Sequence, residues 1–146
     1  MAPSSSNQNN NNMKNKFQKN HGGRDEYVEI KNRKDYVNDC AIRATAIFLD
    51  LPYHEVRDDL FEIARERFDM PNSDAVIYEY LERKDCKLNK TIYKNGKSKF
   101  TVGDFPVNTN RVMIRVARHW TTIVDEVVQD TWDCRRRFAG RYFTRS

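Results

Sequence analysis

No run of roughly 18 consecutive apolar residues, the length of a membrane-spanning helix, occurs in the sequence, and its start lacks the apolar stretch of a secretion signal. A cytoplasmic chain without membrane contact is therefore expected. Cysteine is scarce: Cys40, Cys86 and Cys134 make three in 146 residues, an odd number without a short repeating interval. This argues against a disulfide framework and against a zinc site of the C-x-x-C type, and it predicts reduced thiols. Charge of one sign is not dominant either. Lys and Arg number 26 against 21 Asp and Glu, for a net charge of +5, which reads mainly as a mixed, solvated surface. The run Arg135-Arg136-Arg137, followed by Arg141 and Arg145, offers a weak electrostatic contact to nucleic acid.

Apolar residues are nearly missing from the opening MAPSSSNQNNNNMKNKFQKNHGGR, which cannot bury enough surface to offset the entropy of ordering. Residues 1–25 are expected to be a disordered tail that includes His21. Residues 26–146 then form one domain with one core.

Within that domain, Ala41, Ala44, Thr45, Ile47 and Phe48 recur at helical spacing after a candidate N-cap, Asn38 or Asp39, and the pattern ends near Asp50-Leu51-Pro52. A second helix is expected from about Pro52 to Arg67, burying Val56, Leu60, Ile63 and Ala64. A third follows Ser73 as its cap. Asn95-Gly96 then predicts a tight turn. Strands are expected in Arg111–Val124, in Val127–Trp132 after a turn at Asp125-Glu126, and in Phe138–Thr144. Helices followed by strands define an α+β domain, N-terminal helices packed on a C-terminal antiparallel β-sheet.

Cys40 stands at the expected start of the first helix, where unsatisfied N–H groups and the helix dipole favour thiolate over thiol and could hold an oxyanion. His119 lies among apolar strand residues and needs a hydrogen-bond partner there. A two-residue turn at Asp125-Glu126 puts Val124 opposite Val127, Thr121 opposite Asp130 and His119 opposite Trp132. Asp130 is then the diagonal neighbour of His119, able to fix its tautomer. Asp133 falls on the other face, opposite Arg118, where an ion pair explains it; a slip of one residue would exchange the two aspartates.

Asn38-Asp39-Cys40-Ala41 opening a helix, Arg118-His119-Trp120 in one strand and Asp130-Thr131-Trp132 in the next resemble the papain-like cysteine peptidases, and less specifically the small cysteine-peptidase-like proteins of bacteriophages. The resemblance implies a papain-like fold and a catalytic order Cys40, His119, Asp130, with Trp132 shielding the histidine contact. The oxyanion-hole Gln of that family has no counterpart in Asn32-Arg33-Lys34-Asp35. Asn38 is the substitute candidate, with N-capping as its other reading. Asp in third place is similar to transglutaminases and deconjugating enzymes.

The function expected is a cysteine hydrolase or acyltransferase of peptidase, isopeptidase, deamidase or transglutaminase type, acting on a protein or peptide in the cytoplasm, or in the host cytoplasm if the source is a phage or virus. No cofactor is implied. The alternative is an inactive papain-like fold that binds nucleic acid or an acidic protein. A metal site is disfavoured, because nothing in the sequence places a second cysteine beside Cys40, His119 and Asp130. His54 and Cys86 read as ordinary residues, and Cys134 as either structural or a resolving thiol.

Overall fold

A computed structural model of the protein describes residues 13–27 and 39–145. Strand β1 (Lys16–Lys19) and a short helix α1 (Arg24–Tyr27) precede three longer helices, α2 (Cys40–Leu49), α3 (Tyr53–Arg67) and α4 (Asp74–Arg83). Strands β2 (Cys86–Asn89), β3 (Tyr93–Lys94), β4 (Ser98–Lys99), β5 (Arg111–Val116), β6 (His119–Val124), β7 (Val127–Asp130) and β8 (Tyr142–Arg145) follow. The expected α+β class is thus present. Among the described residues no helix is long and apolar enough to cross a membrane.

The ten residues of α2 are all buried, which explains a sequence apolar on every side except for Arg43 and Thr45. The helix stops at Asp50 in the left-handed region, φ 55°, where the Leu51 N–H returns to the Ala46 carbonyl at 3.0 Å. Helix α3 buries the expected stripe Val56, Leu60, Ile63 and Ala64. Ser73 precedes α4 but caps nothing with its side chain; its hydroxyl donates instead to Asp69, 2.9 Å away.

Six strands form one sheet in the order β1-β7-β6-β5-β8-β2. The sheet is mixed rather than antiparallel, because β1 runs parallel to β7, with Lys16 beside Val127 and Lys19 beside Asp130. Residues 13–25 therefore depart from the expected tail, whereas residues 1–12 lie outside the described part. Strand β1 pairs through its backbone and packs the half-buried Phe17 against the core, while its polar side chains stay in solvent. Just before it, Asn15 is fully buried, its side-chain amide donating to the Val102 and Phe105 carbonyls.

The stretch Arg111–Val124 divides into β5 and β6. Arg118 sits at the turn between them with φ 56°, and Val116 pairs with His119. Helices α2 to α4 cover one sheet face over Met113, Trp120 and Phe143. On the other face, Val112, Ile114, Val116, Ile123 and Val128 pack with Val102, Phe105, Cys134 and Ala139.

Candidate active site

The β6–β7 hairpin has the expected register, with Val124 opposite Val127, Ile123 opposite Val128 and Thr122 opposite Gln129. Its turn residues Asp125 and Glu126 both have positive φ, 49° and 63°, the conformation whose twist suits a two-residue hairpin. Carried toward the open end, this register brings His119 Nε2 to 2.6 Å from Asp130 Oδ2, with both side chains buried. The Thr131 N–H donates to the other carboxylate oxygen at 2.7 Å. Trp132 leans on the imidazole, ring centroids 4.9 Å apart.

Cys40 is the first residue of α2, and its thiol is near enough to the His119 ring and the Trp120 backbone for both to favour its ionised form. With Nε2 committed to Asp130, Nδ1 is the nitrogen left to serve the thiol. Burial works to raise the Cys40 pKa, but these two groups and the charges of His119 and Arg43 hold it below the ordinary 9.0. For His119, burial pulls downward, yet bonds to Asp130, Cys134 and Cys40 raise its pKa from 6.5 to about 11. Burial likewise opposes ionisation of Asp130, and His119 overcomes it, holding the carboxyl below 3.8. These shifts favour the thiolate and imidazolium forms beside an ionised carboxylate.

These shifts set a stability profile. His119 stabilises the fold fully below pH 6.5, and that contribution is lost as pH rises through about 11. Cys40, shifted down, stabilises above 9.0 and loses its contribution as pH falls through its folded value. Between the folded Cys40 value and 9.0 its slope opposes that of His119, so stability should fall less steeply with pH there than above 9.0. Urea midpoints measured against pH should show that change of slope. In Cys40→Ala the decline should begin near 6.5, the pH at which an unperturbed His119 would titrate.

Asp39 occupies the N-cap position of α2 without capping it through its side chain. Its carboxylate is taken by the Arg43 guanidinium and, at 3.0 Å, by the Tyr53 hydroxyl. Asn38, the oxyanion candidate, lies outside the described residues. Asp133 does not meet Arg118. It bonds Arg135, with Nε 2.8 Å away, because Arg118 is spent in the β5–β6 turn and Asp133 follows the end of β7. Arg135 is itself buried, which removes it from the expected basic surface run. Cys86 bonds the Lys84 carbonyl at 3.6 Å, and burial raises its pKa. His54 is exposed at the start of α3, and His21 accepts the Gly23 N–H at 3.0 Å.

Two further residues meet Asp130: Arg43, which the sequence reading missed, and Cys134, read there as structural or a resolving thiol. Arg43, 3% exposed, bridges Asp39 and Asp130, whose Oδ1 lies 3.6 Å from its Nη2. Its signal was a lone charge in the apolar CAIRATAIFL. Cys134, 1% exposed, donates to Asp130 Oδ2 at 3.6 Å. All three cysteines are free thiols. Set against known proteins, the chain matches no family model, no curated protein and no solved structure.

Proposed function

We propose that the protein is a papain-like cysteine hydrolase or acyltransferase with Cys40 as nucleophile. One observation carries the reading: a thiol at a helix start, its ionisation favoured by a buried imidazole that itself lies 2.6 Å from a buried carboxylate. The Cys40 thiolate attacks a carboxamide carbonyl, and its electron pair forms the thioester bond. His119 gives its Nδ1 proton to the departing amine, and Asp130 keeps the ring oriented and compensates its charge. The opening N–H groups of α2, left without a side-chain cap, are the source of oxyanion stabilisation. Water or a second amine, deprotonated by His119, then breaks the thioester. A protein or peptide is the substrate, and a cytoplasm that keeps thiols reduced is the setting.

Iodoacetamide at about pH 6, where an ordinary thiol is almost wholly protonated, should label Cys40 rapidly and leave Cys86 and Cys134 largely unmodified. Cys40→Ala should abolish the fast phase. Its persistence in that variant would overturn the assignment.

A second reading, a basic binding protein, draws on a cleft of about 630 Å³ lined by Lys99, Arg115, Arg136, Arg137 and Arg141 against the single acid Asp74. Binding of nucleic acid that weakens steeply with salt and survives Cys40→Ala would favour it.

A further inference from the structure

The acyl-transfer chemistry leaves Cys134 without a task, although it is buried against the two residues that serve the nucleophile. His119, Asp130 and Cys134 each offer one ligand atom, and all three atoms lie within 4.8 Å of one another. The objection to a metal site, that no second cysteine is placed near the histidine, is removed by the fold. The turn after β7 folds Cys134 back beneath Asp130.

We propose that His119, Asp130 and Cys134 form a zinc site that switches the enzyme off, an inference that rests on the cysteine-hydrolase reading for its consequence but not for the binding itself. One imidazole nitrogen, one carboxylate oxygen and one thiolate suit a borderline-soft ion, and three protein ligands leave a fourth position for water. Tetrahedral zinc with metal–ligand distances of about 2.0–2.3 Å separates its ligands by roughly 3.3–3.7 Å. The Cys134 Sγ to Asp130 Oδ2 distance is already 3.6 Å. The Nε2 to Oδ2 contact, 2.6 Å, must open by a fraction of an ångström.

Binding exchanges two protons, one from Nε2 and one from the Cys134 thiol, for one Zn²⁺. The metal then holds the nitrogen that Asp130 otherwise steadies, and the ring keeps its remaining proton on Nδ1 as a neutral imidazole. It can no longer shuttle between imidazole and imidazolium, so neither protonation of the leaving amine nor activation of water proceeds. Cys40 is not among the three grouped ligands.

The test is titration of the reduced full-length protein with Zn²⁺ against a chromophoric chelator, and with Co²⁺ for thiolate-to-metal charge-transfer absorption. Alongside these, turnover of an activated aryl ester is followed. Wild type and Cys40→Ala should each bind one equivalent and show the cobalt–thiolate band, and Zn²⁺ should abolish wild-type turnover. Cys134→Ser and Cys134→Ala should lose the stoichiometric binding and the band, and their turnover should persist in Zn²⁺. Equal thermal melts of Cys134→Ser and wild type establish that the loss is of a ligand and not of the fold. Binding that depends on Cys40 and not on Cys134, or no binding in wild type, overturns the zinc site. Absence of metal-free turnover would instead overturn the hydrolase reading and leave the binding result standing.

Discussion

His119→Gln should lower Cys40-dependent acyl transfer by about 10²- to 10⁴-fold, the usual contribution of a positioned acid–base group. The amide side chain is polar and of similar reach, so the hairpin and the Asp130 contact have a substitute partner. The substitution removes the ring's ability to carry a proton. It also removes the hydrogen bond and the positive charge that hold the Cys40 thiol below its ordinary value, while the opposing effect of burial stays. The thiol of the variant should therefore titrate higher, and its neutral-pH thiolate fraction should collapse. Alkylation rate against pH separates the two effects: the profile should move bodily to the alkaline side and recover there, whereas aryl-ester turnover should not recover. A variant that alkylates at neutral pH as fast as wild type would show that the imidazole does not activate the sulfur.

The largest effect on stability should come from Arg43→Met, at about 3–5 kcal/mol, the range for removing one partner of a buried ion pair. Arg43 is enclosed in α2 with its guanidinium between the carboxylates of Asp39 and Asp130. Methionine fills much of the volume but leaves Asp39 with the Tyr53 hydroxyl and a longer contact to Arg24, 3.8 Å away. The double variant Asp39→Asn/Arg43→Met should recover a good part of the loss, since the penalty lies chiefly in the uncompensated charge. Denaturant unfolding of the two single variants and the double variant gives the coupling directly. A loss under about 1 kcal/mol for Arg43→Met would mean that the pair is solvated after all. Because the Arg43 charge also helps to lower the Cys40 pKa, the single variant should shift its alkylation profile in the same direction as His119→Gln, by less.

What could be read in advance followed where a single strong period governs. Helix α2 was legible because its apolar residues have only one way to be buried, and α3 because Val56, Leu60, Ile63 and Ala64 form a stripe. The choice of Asp130 over Asp133 rested on one turn, and Asp125 and Glu126 adopt the two-residue form that fixes the register. Polar edge strands were not legible. KFQK and CKLN bury little beyond Phe17 and Cys86, and backbone pairing does most to recruit them to the sheet. Nor could the sequence reveal that Arg43 and Cys134 converge on Asp130, since each is brought there by packing between elements far apart in the chain. Ser73 and Asp39 sat at helix starts as expected, yet their side chains were drawn to Asp69 and Arg43 instead of the helix N–H groups. Local propensity located these residues but did not settle their bonds.

Strand β1 joins the sheet by lying against β7, and the Asn20 N–H closes on the Asp130 carbonyl at 2.8 Å. The two ends of the domain must therefore meet before the strand that bears the carboxylate is flanked on both sides. Such a long-range closure is slow relative to local helix formation. During synthesis, Cys40 leaves the ribosome long before His119 and Asp130 exist. A nascent chain with α2 already formed has the helix start but not the imidazole that further favours the thiolate. On the proposed reading, reactivity is thus delayed until the last strands are in place, which spares the growing polypeptide from modification by its own thiol.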